Sequence, residues 1–391
     1  AVFEADLPRA DRGRRGAGPG FRGGAGGRGG QGMIGALFAA ALLLLHLLTA
    51  ALAMVHGLRR RQPRGPLPFI CLLRPVCGLD HLDAETLESS FGLDYPDYEI
   101  VFCAATETDP AVAPLRAMIA RHPGARARLL IGERRISRNP KLNNLAKGWD
   151  ATGADWIAMA DANLSLPRDY LRQLVACWTP GTGLVSSPPA GVRPEGLAGA
   201  LEAGFLNGCQ ARWQLASAAV GNGFAQGKTL FLHRDLLDRQ GGLAALGCDM
   251  AEDVAATKLV RAAGLAVRLA PRPFGQPVGQ RSLRAVWQRQ LRWSRIRRQG
   301  FPRLFALEPL IGPVLPLLAL AGQPALALGF VLLWYGGEWA LCRAMGWPRG
   351  PRDLAAWVLR DLGLPLLWLA TFARSGFEWR GTAMAPAVPG P

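Results

Sequence analysis

Asp161 closes the apolar run Asp155-Trp-Ile-Ala-Met-Ala-Asp161. Glu252-Asp253 stands just ahead of Val254, Leu259 and Val260, and Arg289-Gln-Leu-Arg292-Trp293 follows. Each group suits one task in group transfer. A carboxylate just past a buried strand is held rigidly, and its hard oxygens suit Mg²⁺ or Mn²⁺ set against a diphosphate. An acidic pair at a helix start can serve only the helix dipole. Alternatively, one of the two accepts the proton of an attacking hydroxyl, which is a poor nucleophile near neutral pH. Guanidinium pairs with phosphate bidentately, so Arg292, with Trp293, is expected to face the sheet and hold diphosphate and acceptor. The order fits transfer of a sugar from a nucleotide to a lipid.

The elements that must position these groups lie between Pro66 and about Gly300. Leu67–Leu73, Tyr98–Cys103, Arg126–Ile131 and Trp156–Ala160 read as short apolar strands. Asp83–Phe91, Asp109–Arg121, Asn143–Ala151 and Pro167–Trp178 read as helices between them. Such alternation predicts an α/β domain with a largely parallel sheet, whose ligands sit at the carboxyl ends of the strands. Cys103-Ala-Ala-Thr106-Glu107-Thr108-Asp109 and Asp161-Ala-Asn163 both fall there. Asp161-Ala-Asn163 is not a strict DxD, and Asn163 offers a carbonyl oxygen at best. No GxGxxG follows a strand and no P-loop lysine motif occurs, so dinucleotide and NTPase readings lack support. The turn Gly223-Phe-Ala-Gln226-Gly227-Lys228-Thr229 before a strand either borders the acceptor pocket or is a plain tight turn.

Composition narrows the setting. Of 391 residues, 50% are hydrophobic, and the formal net charge is +16. Nucleic acid, or anionic lipid and nucleotide phosphate, would answer such charge. The apolar segments favour anionic membrane lipids, with no nucleic-acid partner. Residues 1–32 carry six Arg against three acids among many Gly and have no apolar run, which predicts a disordered tail or, with Met33 as the start codon, a segment that is not translated. Met33–Val55 is apolar apart from His46 and Thr49, long enough to span roughly 30 Å of hydrocarbon. His46 is read as a tolerated polar residue of that helix (33–56). Arg59, Arg60, Arg61 and Arg64 follow, which places everything downstream on the cytosolic side, of a bacterial-type inner membrane. The seven cysteines show no CxxC pair and read as free thiols.

The catalytic region is set at 66–280. Between Arg281 and Arg298 there are seven Arg and no acid, with Leu283, Val286, Trp287, Leu291 and Ile296 near one face, predicting an amphipathic interface helix over 281–303. Two or three membrane segments are expected in 304–375: Leu304–Ala321 and Pro324–Met345 as a hairpin with Glu338 an awkward passenger, and Leu354–Ala373 with Arg360-Asp361 inside it. An adjacent charge pair in such a segment neutralises itself or faces a cavity.

These blocks together resemble the ceramide glucosyltransferase family. Leu93-Asp94-Tyr95-Pro96-Asp97-Tyr98-Glu99 is similar to its LDYPxYE segment, and Asn139-Pro140-Lys141-Leu142-Asn143-Asn144-Leu145 to its NPKxNNL segment. Asp161 matches the second of its aspartates, Ala251-Glu252-Asp253 the block of the third, and Arg289-Gln-Leu-Arg292-Trp293 its (Q/R)xxRW motif. The resemblance runs from about Pro66 to Pro302. It implies a GT-A-like, Rossmann-type nucleotide-sugar domain between membrane helices. It also implies transfer from a UDP-sugar, glucose favoured, to the primary hydroxyl of ceramide with inversion. Asp253 would be the base, Asp161 would bind metal and diphosphate, and Arg289, Arg292 and Trp293 would complete the donor and acceptor site. Lys141, Asn143 and Asn144 would line the nucleotide-sugar pocket, or equally cap the following helix. The family's first aspartate falls on Thr106, beside Glu107, so one of these would contact the nucleoside. A hopanoid or diacylglycerol acceptor would use the same catalytic residues. A polysaccharide synthase needs more membrane helices, and a non-catalytic scaffold has only Thr106 in its favour.

Overall fold

A computed structural model describes residues 25–59, 62–63, 65–249, 251–373, 377–379 and 382–384. Most of the Gly/Arg-rich segment 1–32 therefore lies outside the described residues. Helix α1, Ala25–Gly57, is apolar and followed by β1 (Ile70–Val76), α2 (Asp83–Glu88), β2 (Tyr98–Ala104), α3 (Val112–Arg121), β3 (Ala127–Ile131), α4 (Pro140–Ala151), β4 (Trp156–Ala160) and α5 (Tyr170–Cys177). Next come β5 (Thr182–Ser186), β6 (Pro189–Glu195), α6 (Gly196–Gly204), a π-helical stretch Phe205–Ala211, α7 (Arg212–Ala219), β7 (Thr229–His233) and α8 (Asp235–Asp238). The chain continues through α9 (Glu252–Ala262), β8 (Ala266–Leu269), β9 (Phe274–Gln280), α10 (Leu283–Gly300), α11 (Pro302–Ala306), α12 (Val314–Ala319), α13 (Pro324–Met345) and α14 (Pro351–Ala370). A small hairpin, β10 (Phe377–Trp379) with β11 (Thr382–Met384), closes the described chain.

The main sheet has the order β3-β2-β1-β4-β7-β5-β8. β1 to β4 are parallel, whereas β7 runs antiparallel to both β4 and β5. The apolar runs that signalled β1, β2 and β4 are buried on both faces, the usual state of parallel strands. Alternation along β1 divides the core. Ile70 and Leu72 join Leu115, Met118 and Leu171 on one side, while Cys71 and Leu73 join Leu142, Leu145 and Trp149 on the other. β6 and β9 form a separate parallel pair on which α6 packs.

Local signals set several boundaries. Asn139 accepts from the Lys141 N–H at 2.9 Å, and Pro140 follows as the first helical residue, so α4 starts there. Ser282 caps α10 by accepting from the Ala285 N–H. Pro309, Pro313 and Pro316 explain why Leu304–Ala321 is not the expected continuous helix: it breaks into α11, a 3₁₀ turn and α12.

Among the described residues three helices are long and apolar enough to cross a membrane: Gln31–Gly57, Pro324–Met345 and Pro351–Ala373. They are joined to the catalytic domain by a buried polar network. Arg360 pairs with Glu338 and with Asp361, each at 2.8 Å, and donates to the Gly204 carbonyl at 3.0 Å. Trp334 Nε1 donates to Asp361, and His46 stacks on Trp334 while contacting Arg212 of α7. His46 is thus a bonded partner rather than a merely tolerated polar residue, and Glu338 is the counter-ion of Arg360. Helical spacing does not reveal a partner on another helix.

Candidate active site

The carboxyl ends of β1, β2 and β4 lie along one edge of the sheet, with the amino end of antiparallel β7 beside β4. This brings Asp161 against the turn that precedes β7: the Asp161 N–H donates to the Lys228 carbonyl at 3.2 Å. The loop after Asp161 is clamped from below. Arg74, fully buried in β1, donates to the carbonyls of Asp161 (2.7 Å), Ala162 (3.1 Å) and Leu164 (2.8 Å).

Two ammonium groups meet the Asp161 carboxylate. Lys141 Nζ lies 2.7 Å from Oδ1 and Lys228 Nζ lies 3.0 Å from Oδ2. Lys141 also reaches Glu252 Oε1 at 2.6 Å and the Gly227 carbonyl at 2.7 Å. Lys228 also donates to Asn163 Oδ1 at 2.9 Å. Burial by itself would raise the Asp161 carboxyl, but Lys141 and Lys228 overcome it and hold the group below the usual carboxylate range.

The acidic pair divides its roles. Glu252 is bound by Lys141 and by Asn139 Nδ2 at 2.9 Å, so both its oxygens are taken. Asp253 accepts from the Gly227 N–H at 2.9 Å and from its neighbour Val254 at 2.8 Å. Burial, then the charge of Glu252, pushes the Asp253 carboxyl up to about 6, against the pull of the Gly227 N–H and Lys141. A Cβ at Gly227 would stand 2.6 Å from Glu252 Oε1, so a larger residue there would push that carboxylate from its place against Lys141.

The remaining expected residues separate into two groups. Asn143 and Asn144 are buried and their amides are taken within the protein: Asn143 Oδ1 accepts from the Ile136 and Ser137 N–H groups while its Nδ2 donates to Glu133, and Asn144 Nδ2 donates to the ends of β1 and β2 at Val76 and Cys103 while its Oδ1 accepts from Lys147. They shape the edge that Lys141 occupies. Thr106 and Glu107 follow β2, two strands from β4 and so about 10 Å across the edge. Glu107 is exposed and paired with Arg116 on α3, while Thr106 contacts Thr108. Asp109 receives the Gly78 N–H at 2.9 Å and the Ala111 N–H at 2.9 Å, tying the loops after β1 and β2 together. On α10, Arg289 pairs with buried Glu202 of α6 at 2.7 Å, and its charge is felt at Lys228. Arg292 is half-buried on the same helix. Trp293 packs on Ala203, Leu206 and Val278, at the α6 and β9 side of the domain rather than on the main sheet. The sequence singles out neither Glu202 nor Arg74, and marks Lys228 only as part of the 223–229 turn and Asn139 only as part of the 139–145 segment; a lone Lys after a glycine has no role of its own until β7 is known to lie against β4.

The oxygens offered to a cation are the Asp161 carboxylate and the Asn163 amide carbonyl. These hard donors on one strand-end loop suit a Mg²⁺ or Mn²⁺ ion whose other ligands are water and the phosphates of a donor. Among the described residues no group of three or more His, Cys, Asp or Glu stands ready to hold a metal.

The family model for glycosyl transferase family 21 matches residues 33–387. The chain belongs to glycosyl transferase family 21. This family 21 chain is therefore a glycosyltransferase. It is similar to ceramide glucosyltransferase 1 of Caenorhabditis elegans, 24% identical over 332 residues, which are 84% of this chain and 68% of that protein. It is also similar to ceramide glucosyltransferase 3 of the same organism, 22% identical over 366 residues, 89% and 79% of the two chains. Among solved structures it resembles the mannosyltransferase PcManGT from Pyrobaculum calidifontis, solved in complex with GDP-Man and Mn²⁺. That match has a TM-score of 0.50 at 20% identity and covers 84% of this chain and 99% of that one. It supports the GT-A-like fold of the family 21 chain.

Proposed function

We propose that this glycosyltransferase moves a sugar, glucose favoured, from a UDP-sugar to the primary hydroxyl of ceramide, with inversion at the anomeric carbon. The observation that carries the reading is Asp253: a half-buried carboxyl raised to about 6, held by a backbone N–H beside the Asp161–Lys141–Lys228 cluster. A base of that affinity is ionised at neutral pH yet still takes a proton readily.

In the proposed step the acceptor oxygen attacks the anomeric carbon and its proton passes to the Asp253 carboxylate. The bond from that carbon to the diphosphate oxygen breaks, leaving UDP. Attack from the face opposite the leaving group inverts the configuration. Arg289 and Arg292 face the diphosphate charge, Thr106 or Glu107 meets the nucleoside, and Lys141 holds Asp161 and Glu252 in place. When bound to Asp161 and Asn163, a divalent cation would neutralise the departing diphosphate. The acceptor enters from the bilayer beside α10, α13 and α14, and the Arg-rich segment after α1 favours a cytosolic catalytic domain in a bacterial-type inner membrane.

The test supplies membranes bearing the protein with ceramide and a panel of UDP-sugars, and identifies lipid products by mass spectrometry. The expected product is a hexosyl-ceramide, absent with Asp253→Asn. Product formed only on a hopanoid or diacylglycerol extract would move the acceptor to another membrane lipid. No product on any acceptor would overturn the reading.

A further inference from the structure

The two ammonium groups at Asp161 are not held equally. Lys141 has a second carboxylate, Glu252, and a backbone carbonyl to itself. Lys228 has only its share of Asp161 and the neutral amide oxygen of Asn163. Both lysines are largely buried, with side chains 10% and 17% exposed, so the surrounding protein screens them weakly. Lys228 also feels the like charge of Arg289 on α10. An incoming diphosphate offers several anionic oxygens to the ammonium with the weaker hold. Moreover, Lys228 bridges the same two oxygens, Asp161 Oδ2 and Asn163 Oδ1, that this edge offers a hard cation.

We infer that Lys228 is a donor-binding residue that trades Asp161 and Asn163 for the donor's phosphate oxygens, and so uncovers those two oxygens for a divalent cation. Lys228 thus holds the diphosphate and also withholds the cation position until a nucleoside diphosphate arrives. The strand pairing makes the exchange short-ranged. Lys228 immediately precedes β7, and its carbonyl stays hydrogen-bonded to the Asp161 N–H, so only the side chain need move. The inference rests on the glycosyl-transfer reading of the site.

The test compares wild type, Lys228→Met and Lys228→Arg in detergent, by calorimetry with UDP and GDP in EDTA and by Mn²⁺ titration without nucleotide. Wild type is expected to bind nucleoside diphosphate in EDTA and Mn²⁺ only poorly on its own. Lys228→Met should lose about 10- to 100-fold in nucleotide affinity in EDTA, the loss of a charge-assisted bond. It should also gain Mn²⁺ affinity without nucleotide, which a merely misfolded protein would not do. Lys228→Arg should restore nucleotide binding and suppress Mn²⁺ binding again. Unchanged nucleotide affinity in Lys228→Met overturns the inference and leaves the transferase reading standing, as does unchanged Mn²⁺ affinity. A wild-type protein that binds no nucleoside diphosphate in EDTA overturns the inference, and one that binds none with Mn²⁺ present overturns both.

Discussion

Glu252 and Asp253 are adjacent and chemically alike, yet their surroundings separate them. Glu252 has both oxygens engaged by the side chains of Lys141 and Asn139, whereas Asp253 has only neutral backbone N–H groups of Gly227 and Val254 on its oxygens and is raised to about 6. Transfer should therefore climb as pH rises through about 6 and level off above it, since the ionised form is the base. Asp253→Asn should slow transfer on the order of 10²–10⁴-fold and remove this acid limb. The same shift has a sign for stability. The folded carboxyl holds its proton more tightly than the unfolded one, so its contribution is complete below the unfolded value and lost as pH rises through about 6. Asp253→Asn should then melt higher than wild type at neutral pH and no higher at pH 3. Lys141 opposes the rise at Asp253, so Lys141→Met should move the acid limb to higher pH in a rate–pH profile. A limb that stays in place would mean that another group sets it.

At the scale of elements, the junction between membrane helices and catalytic domain depends on one arginine. Arg360 of α14 neutralises Glu338 of α13 and Asp361, and bonds the end of α6. The π-helical stretch after α6 matters here because Gly208 lies against this ion pair. A Cβ there would collide with Arg360 and stand 2.5 Å from Glu338 Oε1. Removing Arg360 takes the directly paired cation from two buried carboxylates and leaves them the more distant charge of Arg212. Arg360→Met should cost about 3–5 kcal/mol of stability, read as a lowered unfolding midpoint in detergent. Adding Glu338→Met should recover part of that loss. If the single variant unfolds like wild type, the network does not hold the two parts together.

For the whole molecule, the net charge of +16 has a direction. α10 exposes Leu283 and Trp287 beside Arg284, the pattern of a helix lying on an anionic surface. Transfer in reconstituted vesicles should rise with the fraction of anionic lipid and fall with added salt. Arg284→Glu with Trp287→Ala should bring the rates in anionic and neutral vesicles together while leaving the rate in detergent unchanged. A persisting lipid effect would place the contact elsewhere on the protein.

The sequence by itself determined the α/β class, the strand–helix alternation around Asp161 and the order of the catalytic blocks. These depend on apolar periodicity and local caps, which are written within a few residues, as at Ile70–Val76 and Asn139-Pro140. It also marked the long apolar helices, although Pro309, Pro313 and Pro316 should have ruled out a span over Leu304–Ala321. Only the tertiary structure decided which groups meet. β7 runs antiparallel beside β4, and that pairing carries Lys228 to Asp161 and the Gly227 N–H to Asp253. Packing of α13 on α1, of α14 on α6 and of α1 on α7 gives Glu338, Arg360 and His46 their partners. These contacts join residues far apart in the chain. Their energies depend on burial and proximity, which no local pattern of residue types encodes.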